Sequence, residues 1–266
     1  MAALLLLGGT GSGLIYGWYF IQRKLIPLIE TEASNYLHRP LELGELRSLS
    51  LTKASFGKSA LPATEDNPDF VKVKEVKINL APWYFLRHRQ LNLDLILVKP
   101  DVYLEQDQTK LWTPTDFGSG KKSEGGIKVN VKSIQLEQGQ LSLVAYNSQK
   151  KSLNPAVIAE IDEITIRPQD HIIKFDAAAQ LLQGGKFAVD GQGNSKTGII
   201  DLEVIANQLK ASEVSNLLAL PIELGQGSLK GKLRVILKDQ PMPELLGALD
   251  LDQVSMQIPG LVKPFS

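Results

Sequence analysis

The sequence predicts a mainly β protein: an N-terminal transmembrane helix and a short helix, followed by an elongated, mostly antiparallel, groove-like sheet. Three observations predict it. Residues 2–21 (AALLLLGGTGSGLIYGWYFI) carry no charge. From Leu41 onward the apolar residues recur with a period of two, the signature of half-buried strands. No alternation of strand and helix runs through the chain, which argues against a parallel doubly wound sheet.

The first segment, 1–24, reads as a membrane anchor. A helix of its length reaches about 30 Å at about 1.5 Å per residue, the thickness of a bilayer's hydrocarbon core. Leu5, Leu14, Ile15 and Trp18 are the residues expected in the membrane, and Trp18 and Tyr19 precede Arg23 and Lys24 where an interfacial aromatic belt lies. A cleaved signal peptide is the weaker reading, because no small-x-small site follows and the apolar core is long. The positive-inside rule, taken literally, puts Arg23 and Lys24 in the cytoplasm; a basic leader ahead of the segment would reverse that. Gly8, Gly9, Gly11 and Gly13 look like a dinucleotide-binding turn, but the strand before and the βαβ units beyond are missing. Gly9, Gly13 and Gly17 also make two GxxxG steps, either a face for close helix pairing or simply a small-residue-rich anchor.

Residues 25–40 predict a short helix. Leu25, Leu28, Ile29 and Tyr36 form a partial apolar stripe, and Pro27 suits a first turn. Arg39-Pro40 ends it, since the residue before proline avoids the α region.

The β region then divides into 41–112, a Gly/Ser/Lys-rich loop over 113–126, and a continuing repetitive sheet over 127–266. Val71 and Val73 alternate with Lys72 and Lys74, and Val76, Ile78 and Leu80 with Lys77 and Asn79, while Leu91, Leu93, Leu95 and Leu97 share one strand face. Ile127, Val129 and Val131 repeat the pattern. So do Ile173 to Leu181, Phe187-Val189, Ile200 to Val204, and Leu229 to Leu237. Gly184-Gly185 suits a two-residue hairpin and Gln138-Gly139 is a looser candidate. Residues 211–220 (ASEVSNLLAL) predict one helix, started by Ser212 and stopped before Pro221.

One hexad recurs: apolar-x-x-apolar-x-apolar, beginning at Leu46, Val73, Val131, Ile161 and Leu251. A step of three inside a period-two strand flips the apolar side unless a bulge absorbs the extra residue. The starts lie 27, 58, 30 and 90 residues apart, loosely multiples of thirty, as a stacked repetitive sheet would give. Any amphipathic β protein also yields such hexads by chance.

Composition and motifs exclude several functions. The 29 Lys and Arg balance 29 Asp and Glu, so no basic stripe is available to displace counterions and no nucleic-acid partner is expected. Without cysteine there is neither a disulfide framework nor thiolate chemistry. His38, His88 and His171 stand apart, and none has a His or Cys two to four residues on. Asp162-Glu163 and Glu65-Asp66 are sequence neighbours, as in solvated turns, and no Gly-x-Ser-x-Gly elbow joins a strand to a helix. No catalytic residue, cofactor or metal is expected.

Residues 91–112 (LNLDLILVKPDVYLEQDQTKLW) resemble the strand–Pro–strand–Trp passage near the start of AsmA-like and TamB-like envelope proteins, and Arg39 to Gly44 (RPLELG) resembles their entry motif. With the anchor, these stretches cover residues 1 to about 120; beyond them the likeness is a general texture. The resemblance implies a β-taco groove in the space between two membranes, anchored by one pass in the inner membrane. It also implies a role in translocation and assembly, through lipid transfer or outer-membrane protein insertion. The partners it implies are phospholipid and an outer-membrane barrel assembly protein, the latter met through a C-terminal region this sequence lacks. On that reading the chain is the N-terminal part of a longer protein. Leu93, Leu95, Val129, Val131 and Phe175 are the candidate groove lining. The alternative is a membrane-tethered β-sandwich in which the same residues fill a closed core, serving as a binding module or scaffold.

Overall fold

The structure, a computed structural model, describes residues 39–50, 52–65, 67–88, 90–107, 128–147, 152–218, 223–238 and 244–257. The expected anchor with Leu5, Leu14, Ile15 and Trp18, the short helix up to residue 38, and the loop over 113–126 lie outside them. Among the described residues no helix is long and apolar enough to cross a membrane.

The chain is mainly β. It runs β1 (Leu46–Leu49), β2 (Lys53–Phe56), β3 (Ser59–Leu61), β4 (Phe70–Val73), β5 (Glu75–Leu80), α1 (Pro82–His88), β6 (Gln90–Val98), β7 (Asp101–Glu105) and β8 (Lys128–Val144). There follow β9 (Tyr146–Asn147), β10 (Ser152–Leu153), β11 (Val157–Gln169), β12 (Ile172–Leu181), β13 (Lys186–Asn194) and β14 (Ile199–Lys210). The last elements are α2 (Ala211–Leu218), β15 (Glu223–Leu224), β16 (Ser228–Leu237), β17 (Glu244–Asp252) and β18 (Met256–Gln257). Fourteen strands form one open sheet whose main path is β1-β2-β5-β6-β8-β11-β12-β13-β14-β16-β17. All pairs are antiparallel except β6 and β7, which run parallel to β8 along the same edge. Parallel neighbours need a long return connection, and the chain between β7 and β8 supplies it.

The first strands are not straight. β3 and β4 continue β2 and β5 past a break, as β7 continues β6, and the breaks align across the sheet. Gly57-Lys58 lies level with Lys74, because Phe56 pairs with Val76 and Ser59 with Val73. Lys74 N–H donates to Val98 O (3.1 Å), Lys99 N–H to Glu137 O (2.9 Å), and Gln140 N–H to Pro100 O (2.7 Å). The same line crosses Gln138-Gly139 in β8 and ends at Asp162, the extra residue of a bulge in β11. Lys99 and Gln138 take left-handed backbone angles (φ 51° and 54°), so the kink is built from the backbone itself. A Cβ on Gly139 would stand 2.4 Å from Pro100 Cγ, so only glycine fits where the two kinked strands meet.

These breaks resolve the recurring hexad. Its extra residue is Arg47 in the first copy, Lys132 in the third and Asp162 in the fourth, each a register shift. In the second it is Lys74, between β4 and β5, and in the fifth Gln253 (φ 52°), after β17. All five hexads therefore coincide with a bulge or break that returns the apolar residues to one side. Val73, Val76 and Ile78 consequently share one packed cluster.

Two turn expectations are corrected. Gly184-Gly185 closes a four-residue loop, 182–185, in which Leu181 N–H donates to Gly185 O (3.0 Å); both glycines take positive φ (108° and 94°). Gln138-Gly139 is no hairpin but the kink inside β8. The helix expected over 211–220 is α2, ending at Leu218 within the described residues. Helix α1 interrupts the period-two region where no helix was expected.

Candidate functional site

The sheet register places one residue from every strand of the main path in a common row. Leu49, Ala54, Ile78, Leu95, Ile134, Ile166, Phe175, Gly191, Leu202, Val235 and Leu245 pair in succession. Beside it runs Leu46, Phe56, Val76, Leu97, Leu136, Ile164, Ala177, Val189, Val204, Leu233 and Gly247. Directly paired residues share a face, so both rows form one apolar surface without a polar side chain in it. Gly191 contributes no side chain to it: a Cβ there would meet Phe175 Cζ at 2.9 Å and Leu202 Cδ2 at 2.8 Å. The Phe175 ring therefore lies where a side chain at 191 would stand.

The other face is mainly polar, with Ile205 and Leu246 exposed on it. Thr165, Asp176, Asp190, Glu203 and Arg234 follow one another across it. Arg167 pairs with Asp176, and Lys232 with Glu203 at 2.6 Å. Arg234 grips Asp201 through two bonds of 2.8 and 2.6 Å. That grip holds the Asp201 carboxyl below its usual range, chiefly through the hydrogen bond, and raises the Arg234 guanidinium. Glu163, Asp176, Asp190 and Glu203 ring a shallow depression here over Ala178 and Ala188. Among the described residues no group of three or more His, Cys, Asp or Glu is arranged to hold a metal ion.

The apolar face is covered unevenly. At the Leu181 end, α2 packs Val214 and Leu217, and β15 and β18 pack Leu224 and Met256, over Val157, Ala159, Leu181, Ala206 and Leu229. Asn154 Nδ2 donates to Asn216 O (2.9 Å), tying α2 to the segment before β11. Glu213, in the first turn of α2, is only 4% exposed, and its Oε2 has no hydrogen-bond partner. Burial pushes this carboxyl above its usual range, partly offset by Lys210. Toward the other end of the same strands, Phe175, Val189, Leu202 and Val204 are half-buried and belong to none of the packed clusters.

The residues proposed as lining divide between these environments. Leu93 is 2% exposed inside the cluster of Ala54, Phe56, Val76 and Ile78, and Leu95 sits half-buried at its margin. Val131 is half-buried opposite Leu93, and Phe175 is half-buried outside the clusters packed among the described residues. The register sets Val129 opposite Leu91; its side chain is outside the described ones. The register joins four of these residues to one surface: Leu95 reaches Phe175 through Ile134 and Ile166, and Leu93 faces Val131. Sequence reasoning did not select Ile166, Val189, Leu202, Val204 or Val235. Their period-two signal was present, but which strand stood next to which was not.

No protein-family model matches the sequence, and no curated protein or solved structure matches it significantly.

Proposed function

We propose that this chain is a non-enzymatic, membrane-tethered envelope-biogenesis protein of the TamB or AsmA type, whose apolar sheet face carries lipid acyl chains between two membranes. The observation that supports the reading is the pair of apolar rows crossing all eleven strands of the main path, with Phe175, Val189, Leu202 and Val204 outside the packed clusters formed among the described residues. Each CH₂ removed from water is worth about 0.8 kcal/mol, so a sixteen-carbon chain would cost on the order of 13 kcal/mol to expose. A lipid crossing an aqueous space therefore needs a continuous apolar lining. The rows span about 50 Å at about 4.8 Å per strand; from β12 to β14 their residues are half-buried rather than packed away, and that stretch is the lining proposed. In this reading the sheet is a groove of the β-taco kind, and the anchor holds it to the inner membrane with the bulk of the chain in the periplasm. Protein cargo and an outer-membrane barrel assembly partner belong to the same proposal.

The second reading, a scaffold or binding module with a closed core, is favoured by the cluster around Leu93 and by α2 over the Leu181 end. Site-specific photocrosslinking in cells separates the two. Benzoylphenylalanine replacing Phe175 or Val204 should yield phospholipid adducts detected by mass spectrometry, whereas the same group at Asp190, on the polar face, should not. Absence of adducts at both apolar positions in folded protein would remove the conduit and leave the scaffold.

A further inference from the structure

Helix α1 bridges β5 and β6 and has a composition unlike the rest of the surface. It reads PWYFLRH, with Pro82 at its start, no acidic residue in its first turn and Arg87 and His88 in its last. Trp83 is 82% exposed, more than any other large hydrophobic residue described. Tyr84 beside it is also exposed, and its ring stacks on His88 with centroids 4.2 Å apart. His88 Nδ1 lies 3.2 Å from Tyr84 O, which fixes that pair along the helix. Trp83 and Arg87, and Tyr84 and His88, are each four residues apart and so lie on neighbouring stripes of one helix surface. The adjoining strand β2 begins with exposed Lys53, one residue after Thr52, whose carbonyl accepts the Leu80 N–H (2.8 Å) just before α1.

The surface thus sets two amphipathic rings beside the Arg87 guanidinium and carries no acidic side chain on the helix. Tryptophan and tyrosine favour an environment that is apolar at one end and wet at the other. Arginine forks match phosphate oxygens. We propose that α1 seats on the interface of an anionic bilayer, with Trp83 and Tyr84 among the upper acyl and glycerol groups and Arg87 on a headgroup phosphate. This contact is separate from lipid carriage on the sheet's apolar face, and stands or falls without it.

The test uses the full chain with Trp18→Phe and Trp112→Phe, leaving Trp83 as the sole tryptophan, its fold checked by circular dichroism. It is reconstituted into phosphatidylcholine vesicles with or without phosphatidylglycerol, the acyl chains brominated near the headgroup. Trp83 emission should shift to the blue and be quenched by the bromines in the anionic vesicles. Quenching should fall several-fold with Arg87→Gln and be weaker in phosphatidylcholine alone. Water-like, unquenched emission in both vesicle types would overturn the proposal. So would blue-shifted emission in lipid-free buffer, which would mean that protein covers Trp83. Equal quenching with and without phosphatidylglycerol would overturn the charge recognition it rests on.

Discussion

The two halves of the sheet carry one binary pattern and bury it differently. From β1 to β8 the strands break along the line from Gly57-Lys58 to Gln138-Gly139, and the apolar side holds tightly packed residues: Phe56 at 1% exposure, with Val73, Ile78 and Leu93. From β12 to β16 the strands run without that line, and the same apolar rows continue through half-buried Phe175, Val189, Leu202 and Val204. Alternation therefore decides which side is apolar, while breaks and covering elements decide whether that side is dry. A face can be core at one end of a sheet and surface at the other without any change in residue type.

The comparison breaks most readily at its extremes. Phe56→Ala should destabilise the protein by about 3–5 kcal/mol, as expected for a buried aromatic, whereas Phe175→Ala should cost about 1 kcal/mol, since less area leaves contact. Urea unfolding of the two variants measures the gap; similar losses would mean that Phe175 is core after all. A smaller effect probes the fold line. Gly139→Ala drives a methyl into Pro100 and should cost about 1–3 kcal/mol. Gly193→Ala, whose Cβ would find nothing closer than Ile200 Cγ1 at 3.8 Å, should stay within about 0.5 kcal/mol of the parent.

The covered end of the C-terminal half offers a gain. Burial raises the Glu213 carboxyl, so its contribution to stability is full below the usual glutamate range and is lost as pH rises through the folded-state value. Glu213→Gln should therefore stabilise by about 1 kcal/mol at neutral pH, and the advantage should shrink on acidification; a melting series against pH reads both. The smallest effect belongs to the polar face. Arg234 holds the Asp201 carboxyl low, so this pair's contribution is present above the usual aspartate range and lost as pH falls through the depressed value. Both side chains meet water, and Asp201→Asn should move the melting temperature by less than Phe56→Ala, Phe175→Ala, Gly139→Ala or Glu213→Gln, with the difference vanishing in acid.

Much of the fold was legible in the residues. Alternation at Val71 to Leu80 and at Leu91 to Leu97 marked strands and their faces, and the five hexads marked the bulges, because an odd step has no other way to stay on one side. Helix α2 announced itself through ASEVSNLL between strand runs. Helix α1 did not, since PWYFLRH holds aromatics that strands also favour. Of the candidate lining, Leu95 and Phe175 stand in one row, but the strands between them had to be placed first. The parallel pairing of β6 and β7 with β8 was hidden too, because a long connection leaves the direction of return open.

What the sequence determined by itself is local: the periods, the side each residue takes, the places where an extra residue must be absorbed, and the absence of thiol chemistry. These follow from backbone geometry within a few residues. The tertiary structure alone decided strand order, the alignment of the breaks into one line, and which part of the apolar face α2, β15 and β18 cover. Those depend on contacts between residues far apart in the chain, and hydrophobic burial is non-directional: a leucine's preference to leave water does not specify which neighbour will exclude it.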